Sequence, residues 1–187
     1  KKKRKVINIE ELKNKKFIVG IGRLTRQKNF KLLINAFYKV TKKYPDYNLV
    51  LIGEGEQKKK LLDEVKKLKI TNKVHFLGFQ KNVYKFLNKS ECFILSSLWE
   101  DPGFVLIEAA LSNTTIISSN CPNGPKEILG SDGFLFKNNN LEDLLEKFDI
   151  YKNTNHEEII KKKIIIKKRV KQFTQFQHFQ GLKKIII

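Results

Sequence analysis

The segment KFIVGIGRLTRQKNFKLLINAF, residues 16–37, decides the fold of this chain. Its first residues, KFIVG, are typical of a buried strand, and from Phe30 apolar residues recur at helical spacing. Glycines and basic residues separate the two patterns. The segment therefore predicts a strand, a loop and a helix over residues 30–44, which together form one unit of an α/β fold.

The same alternation continues along the chain. Five further strand-like runs are NLVLIG from Asn48, KVHFLG from Lys73, CFILSS from Cys92, TTIISS from Thr114 and GFLF from Gly133. Helical patterns are found at residues 57–68, 82–88, 104–111, 125–129 and 141–151. Because these strands are apolar throughout and are separated by helices, they predict a Rossmann-like, doubly wound parallel sheet covered on both faces.

The length of 187 residues allows one well-cored domain. We expect residues 1–14 to be a polar, basic lead-in and residues 15–151 to form the domain. Residues 152–187, rich in Lys, Ile, Gln and Phe, are expected to form one or two basic amphipathic helices. The chain contains no methionine, and we expect it to be a fragment of a longer protein.

The formal net charge is +19, from 38 basic and 19 acidic residues. Such a charge attracts phosphates, nucleic acids and anionic membranes alike, and does not choose among them. The opening KKKRKV resembles a monopartite nuclear localisation signal, but a lysine-rich linker explains it with no further assumption. No interleaving of aromatic and basic residues typical of single-strand binding occurs in the core, so a polyanion-binding module is an alternative and no specific nucleic acid is expected.

Cys92 and Cys121 have neither CxxC nor Cys/His spacing, which argues against a disulfide framework or a zinc site. No apolar run reaches the roughly 18 residues of a spanning helix, and no secretory signal pattern opens the chain. We expect a cytoplasmic protein. The basic residues of the C-terminal region, among them Lys161 and Lys168, would suit peripheral contact with an anionic inner membrane or packing against another domain.

In a doubly wound sheet, ligands bind beyond the carboxyl ends of the strands. After the first strand, the glycines of GIGR allow a ligand to approach the backbone, and Arg23 and Lys28 precede a helix start. Basic side chains and unpaired N–H groups there can bind phosphate oxygens. The spacing matches neither the P-loop nor GxGxxG, so an ordinary strand-to-helix loop is equally compatible with it.

The segment WEDPGFVLIEAA, residues 99–110, brings two acids to another such loop. Pro102 and Gly103 can begin a helix, so Glu100 is predicted in the loop and Glu108 inside the helix. Taken alone, either acid would more often lie on a solvated face or near the positive end of the helix dipole. The pair also suggests a glycosidase, but that reading leaves the basic loop unexplained.

Taken together and in order, GRLTRQKNFKLLINAF, LVLIGEG, VHFLGF, the E-x7-E pair and NGPKEIL resemble one known domain. It is the carboxyl-terminal domain of retaining family 4 glycosyltransferases of the GT-B fold, and the likeness covers residues 16–151. WEDPGFVLIEAA with SNCPNGPKEIL is similar to the bacterial enzymes that build capsular polysaccharide, O-antigen and related surface glycans.

The resemblance implies a nucleotide-sugar site and gives each acid a role. In that family the basic residues, here Arg23 and Lys28, bind the donor diphosphate and stabilise it as the leaving group. Glu108 would accept hydrogen bonds from the ribose, and Glu100 would face the transferred sugar, so the catalytic candidates are Glu100, Arg23 and Lys28. The other donor-binding candidates are the first-loop Gly22, the backbone of Gly103 and Phe104, and, near the base, Gly53, Gly78 and Phe79.

Some positions depart from the family pattern. The usual Glu-Gly-Phe-Gly loop reads Glu100-Asp101-Pro102-Gly103 here, which keeps the spacing and stiffens the loop. Asn29 and Asn113 stand where the family has glycine. Because asparagine is the next best residue for a left-handed backbone, we expect the same local geometry at both positions.

The implied reaction is retaining transfer of a hexose or N-acetylhexosamine from a nucleotide-diphosphate sugar, commonly UDP-linked, to a polysaccharide or lipid-linked glycan. The family needs no metal cofactor, and this chain has no Asp-x-Asp motif. GT-B enzymes bind the acceptor mainly through an amino-terminal domain that is absent here, so the isolated chain is expected to bind donor weakly and to transfer no sugar. A sugar-nucleotide epimerase of the same fold is an alternative.

Overall fold

The computed structural model describes Leu12 and residues 15–173. Its centre is a six-stranded parallel sheet in the order β3-β2-β1-β4-β5-β6. The strands are β1 Phe17–Ile21, β2 Asn48–Ile52, β3 Val74–Phe76, β4 Cys92–Leu95, β5 Ile116–Ser119 and β6 Phe134–Phe136. All six predicted strands and their parallel arrangement are confirmed.

Seven α-helices are found among the described residues, and a short 3-10 turn, Lys171–Phe173, follows the last of them. They are α1 Phe30–Lys43, α2 Lys58–Lys67, α3 Tyr84–Leu87, α4 Phe104–Leu111, α5 Pro125–Leu129, α6 Leu141–Asn153 and α7 His156–Val170. Helix α3 is one turn, shorter than the predicted 82–88, and α6 extends two residues past the predicted end. Helix α6 ends where Thr154 adopts an extended backbone.

The strands bury both faces because successive side chains point to opposite sides of a sheet. On β1, Ile18 packs in a core with residues of α1, α2 and α6. Its neighbours Phe17 and Val19 pack in a second core with residues of α3, α4, α5 and α7. This burial on both sides explains why the strands are predominantly apolar and lack polar alternation.

The second core includes residues from both ends of the described chain. Ile166 and Val170 of α7 are buried in it, so α7 packs against α4 and α5 as part of the same body. Leu12 is also 1% exposed there, and the expectation of a wholly polar lead-in is wrong at this residue because its side chain fills the core. The rest of residues 1–14, and residues 174–187, lie outside the described part.

The strand order places β1 between β2 and β4. The chain moves outward from β1 to β3 on one side, and then returns to β4 on the other. Such a reversal leaves a crevice between the loops that follow the two central strands, which is where ligands bind in this class of sheet. The loops after β1 and β4 are those that carry the basic residues and the acid of the sequence motifs.

Candidate active site

The loops after β1 and β4 are held together by hydrogen bonds between residues about 70 positions apart. The backbone N–H of Leu98 donates to the carbonyl of Gln27 at 2.8 Å, and the Gln27 amide donates to the Trp99 carbonyl at 2.9 Å. The Ser96 hydroxyl donates to the Lys28 carbonyl at 2.8 Å. The two motifs therefore form one structural unit.

Lys28 and Glu100 form an ion pair at the centre of this unit. The Lys28 Nζ lies 2.6 and 2.7 Å from the two carboxylate oxygens of Glu100. Glu100 is 3% exposed, and its carboxylate also accepts a short hydrogen bond from the Ser97 hydroxyl. A buried carboxylate needs such partners because its desolvation is costly. Two residues predicted for the site thus contact each other directly.

Glu108 lies half-buried on α4, which begins after Gly103 at φ 82°. Burial raises the pKa of its carboxyl group above the usual range. Within residues 15–173 its side chain has neither a hydrogen bond nor an ion pair, and it is not bonded to the Lys28–Glu100 pair. Its carboxylate oxygens are therefore free to accept hydrogen bonds from a ligand.

The glycines predicted for the site lie in adjacent loops. The Gly22 N–H donates to the Ile52 carbonyl at 3.0 Å, and the Gly53 N–H donates to the Gly78 carbonyl at 2.9 Å. These bonds join the loops after β1, β2 and β3 in a row along the carboxyl edge. Arg23, next to Gly22, is exposed and so can reach a ligand lying on that row.

Exposed aromatic side chains border the same edge. Phe79, after β3, is 78% exposed and Phe104, at the start of α4, is 66% exposed. Trp99 is 45% exposed beside Glu100, and its indole was given no role from the sequence. Sequence reasoning also missed Ser97, although a hydroxyl three residues before the acid, at the end of a strand, was a usable signal.

The two asparagines in place of family glycines behave as expected. Asn29 has φ 45° and Asn113 has φ 55°, both in the left-handed region. Asn29 precedes α1, and Asn113 follows α4 with its N–H donating to the Ala110 carbonyl at 3.1 Å. The predicted left-handed backbone is therefore confirmed at both asparagines.

Glu108→Gln is expected to be more stable than the parent chain once the pH exceeds 4.5, the ordinary pKa of a glutamate carboxyl group, and equally stable in more acidic solution. The folded-state pKa of Glu108 is raised by burial, so ionisation costs more in the folded than in the unfolded chain. This cost is absent below pH 4.5, the pKa of the carboxyl group in the unfolded chain. It is fully present once the pH exceeds the pKa of the folded state. The gain is modest because the side chain is half-exposed. Urea unfolding near pH 4 and near pH 8 measures it, and a difference independent of pH would contradict it.

Within the described residues, no group of three or more His, Cys, Asp or Glu side chains is arranged to hold a metal ion. No helix of that part is long and apolar enough to cross a membrane. Cys92 and Cys121 are both buried, and neither forms a disulfide bond.

Sequence comparison connects this site with known proteins. The family model described as glycosyl transferases group 1 matches residues 2–169. An uncharacterised glycosyltransferase of Methanocaldococcus jannaschii is 49% identical over 111 residues, which are 59% of this chain and 27% of that protein. A Campylobacter jejuni enzyme named N-acetylgalactosamine-N,N'-diacetylbacillosaminyl-diphospho-undecaprenol 4-alpha-N-acetylgalactosaminyltransferase is 38% identical over 119 residues, 64% of this chain and 32% of that enzyme. The chain thus spans about a third or less of these relatives.

Solved structures share the fold. Anabaena HepE in complex with UDP and glucose matches with a TM-score of 0.82 at 20% identity, over 92% of this chain and 48% of that one. Staphylococcus aureus TarM, in a complex that includes UDP, matches with a TM-score of 0.81 at 22% identity, over 92% of this chain and 35% of that one. With the Rossmann-like sheet, the paired loops and a family match over most of its length, this chain belongs to the group 1 glycosyltransferases.

Proposed function

We propose that this chain is the donor-binding part of a retaining glycosyltransferase. It binds a UDP-linked hexose or N-acetylhexosamine, which the complete protein transfers to a polysaccharide or lipid-linked glycan. The observation that carries the proposal is the contact between Lys28 and Glu100 at 2.6 Å, with Arg23 exposed and Glu108 unpaired in the neighbouring loop and helix. Cationic and carboxylate groups at one edge suit a ligand that has both a diphosphate and sugar hydroxyls.

The basic side chains are proposed to bind the diphosphate. Lys28 is held by Glu100, and Arg23 is exposed beside Gly22. When the glycosidic bond breaks, negative charge grows on the diphosphate, and cations placed in advance stabilise it. Because Arg23 and Lys28 supply this positive charge, we propose that transfer proceeds without a metal ion.

The carboxylates are proposed to bind hydroxyl groups. Glu108 has free acceptor oxygens, and the resembled family uses this position for the ribose. Glu100 lies beside the diphosphate-binding lysine, where the transferred sugar would be attached. Two similar proteins support the proposed classes of donor and acceptor: HepE was solved with UDP and glucose, and the Campylobacter enzyme is named for transfer to a diphospho-undecaprenol-linked sugar.

The complete enzyme is proposed to need a second domain. This chain spans only 27% and 32% of the two relatives compared above. We propose that an amino-terminal domain closes over the carboxyl edge and binds most of the acceptor, and that the protein acts in the cytoplasm beside the membrane. On this proposal the isolated chain binds the donor nucleotide weakly and transfers no sugar.

Calorimetric titration with UDP, GDP and ADP tests the proposal. We expect selective binding of UDP that EDTA leaves unchanged. Arg23→Ala and Glu108→Ala are each expected to weaken it by about tenfold or more, because each removes a hydrogen bond to or from a charged group. Arg26→Ala is the matched control, since Arg26 is exposed in the same loop and has no proposed role.

The controls define what would contradict the proposal. Equal weakening by Arg26→Ala would mean that only the general positive charge is measured. Absence of nucleotide binding by the folded chain, or binding insensitive to both site variants, would reject the donor site as proposed. Tight, salt-sensitive binding to unrelated DNA in its place would favour the polyanion-binding alternative.

A further inference from the structure

A second polar groove lies at the opposite edge of the sheet from the Lys28–Glu100 pair. Glu91 immediately precedes β4 and Thr115 immediately precedes β5, so the groove lies at the amino ends of these strands. Lys152 of α6 and Lys163 of α7 line its other side. Its volume is about 340 Å³, which is large enough for a polyatomic ion with its hydration water. The proposed transfer reaction uses none of these residues.

Thr115, which lines the groove, carries a buried hydroxyl group. Its side chain is 4% exposed, and its Oγ1 has no hydrogen-bond partner among the described residues. Buried hydroxyl groups in folded proteins are nearly always bonded to protein, water or a ligand, because leaving one unpaired costs free energy. The hydroxyl therefore lacks a partner, and because its oxygen is covered, a bound ion reaches it only when a neighbouring side chain moves aside.

Lys163 brings an unpaired charge. The side chain is partly buried, burial lowers the pKa of its ammonium group, and it forms no ion pair or hydrogen bond within residues 15–173. The other partly buried cations of α7 each have a partner: Lys162 lies 3.6 Å from Glu158, Lys167 lies 3.0 Å from Asn113, and Arg169 lies 2.9 Å from Asp132. Lys163 thus differs from its neighbours in lacking the group that would offset its desolvation.

The nearby Glu91 carboxylate attracts the Lys163 ammonium without contacting it, and so offsets only part of the desolvation. Glu91 accepts a hydrogen bond from the Tyr47 hydroxyl at 3.1 Å and lies 3.9 Å from the Lys152 ammonium. Its charge is therefore shared with Lys152, and the three ionisable groups of Lys152, Lys163 and Glu91 leave one net positive charge. A field of this sign attracts an anion.

From these contacts we infer that the groove binds a small tetrahedral oxyanion of the phosphate class, held by Lys163, Lys152 and the Thr115 hydroxyl. An anion of this shape has enough acceptor oxygens to meet three donors from different directions. A narrow crevice beside the groove, with room for about one water molecule, is also lined by Thr115 and Lys163. Water there would satisfy the hydroxyl, but it would leave the Lys163 charge without a counter-ion.

Nuclear magnetic resonance titration of the whole chain with inorganic phosphate, at constant ionic strength, tests the inference. The amide signals of Thr115 and of residues 156–163 are expected to shift together along one saturable curve. Phosphate can also perturb the donor loops, and separate signals such as that of Gly22 report on them. Phosphate binding at the two edges of the sheet is therefore measured separately. If the chain fails to bind UDP, the result for the groove still stands.

Variants decide which side chain is responsible. Lys163→Met is expected to weaken phosphate binding at the groove by about tenfold or more, since it removes a charged hydrogen-bond donor, and to leave the shifts at Gly22 unchanged. Thr115→Val should weaken it less. Lys161→Met is the matched control, because Lys161 is exposed on the same helix and its loss changes the net charge equally.

Further outcomes separate the sources of the anion and would overturn the inference. Glycerol 3-phosphate binding more tightly than phosphate would assign the site to a phosphate monoester, and weaker binding would assign it to the free ion. Without phosphate, Lys163→Met should raise the melting temperature, because it removes a partly buried, unpaired charge. Shifts that chloride reproduces, or that Lys163→Met and Lys161→Met reduce equally, would show a non-specific response to anions and would overturn the inference.

Discussion

Lys28→Met is expected to lower the free energy of unfolding by about 3–5 kcal/mol, the usual effect of removing one partner of a buried ion pair. Glu100 is 3% exposed and its two oxygens both contact the Lys28 ammonium. Without that cation, the carboxylate keeps the Ser97 hydroxyl but loses the charge that offsets its desolvation. The same substitution is expected to abolish measurable UDP binding, because it removes a proposed diphosphate ligand.

The double variant Lys28→Met with Glu100→Gln separates stability from function. It removes both charges, and the remaining amide can still accept the Ser97 hydroxyl, so stability should return to within about 1–2 kcal/mol of the parent chain. UDP binding should stay absent, because restored folding does not restore the cation. Recovery of folding without recovery of binding would show that Lys28 acts on the ligand as well as on Glu100.

Urea unfolding of the parent chain, both single variants and the double variant measures the four free energies of the double-mutant cycle. Calorimetry measures UDP binding by the same four proteins. Lys43→Met is a suitable control, since Lys43 pairs with Asp149 at 2.8 Å with both side chains about half exposed, and exposed pairs contribute little to stability. Equal, small losses for Lys28→Met and the control would contradict the buried-pair account. UDP binding retained by Lys28→Met would remove Lys28 from the donor site.

Gly53→Ala is expected to lower the free energy of unfolding by about 2–4 kcal/mol and to weaken UDP binding strongly. A Cβ at this position would lie 1.9 Å from the Gly22 carbonyl oxygen, and Gly53 has φ 138°. The contact is with backbone, which cannot rotate away as a side chain could. The loop that carries Gly22 and Arg23 must therefore move away from the loop after β2.

Gly103→Ala provides the matched comparison for stability. Gly103 also has a positive φ, of 82°, but a Cβ there would meet its nearest atoms at 3.5 Å, an ordinary contact. Only the strain of the left-handed backbone is then expected, about 1–2 kcal/mol. Unfolding by urea measures both. Similar losses at the two positions would mean that the close approach of the loops after β1 and β2 is not important for stability.

The strands and helices could be predicted because their signals are local. Uninterrupted apolar runs such as that from Asn48 mark strands buried on both faces, and the spacing of Leu33 and Phe37 in α1 marks a helix with one buried side. The left-handed backbone at Asn29 and Asn113 was predicted from the resemblance, which has glycine at these positions, because asparagine is the next best residue for that conformation. The bounds of α3 and α6 were less accurate because no glycine or proline marks their ends.

Other features depended on contacts between distant parts of the chain. Leu12 was placed in a polar lead-in because its neighbours are charged, but it fills a space that only the folded sheet and α7 create. The unpaired Thr115 hydroxyl and the Lys163 ammonium also become neighbours only when α7 packs beside the amino ends of the strands. Composition shows how many lysines there are, but not which one lacks a partner.

The sequence by itself determined that this is a parallel α/β domain and that its basic loop and acidic motif lie at the carboxyl ends of strands, because hydrophobic periodicity and turn residues act over short stretches. The pairing of Lys28 with Glu100, 72 residues apart, was decided by the tertiary structure. So were the burial of that pair and the free carboxylate of Glu108. Desolvation and ion pairing depend on which side chains the fold brings within a few ångströms, and that information is absent from local patterns.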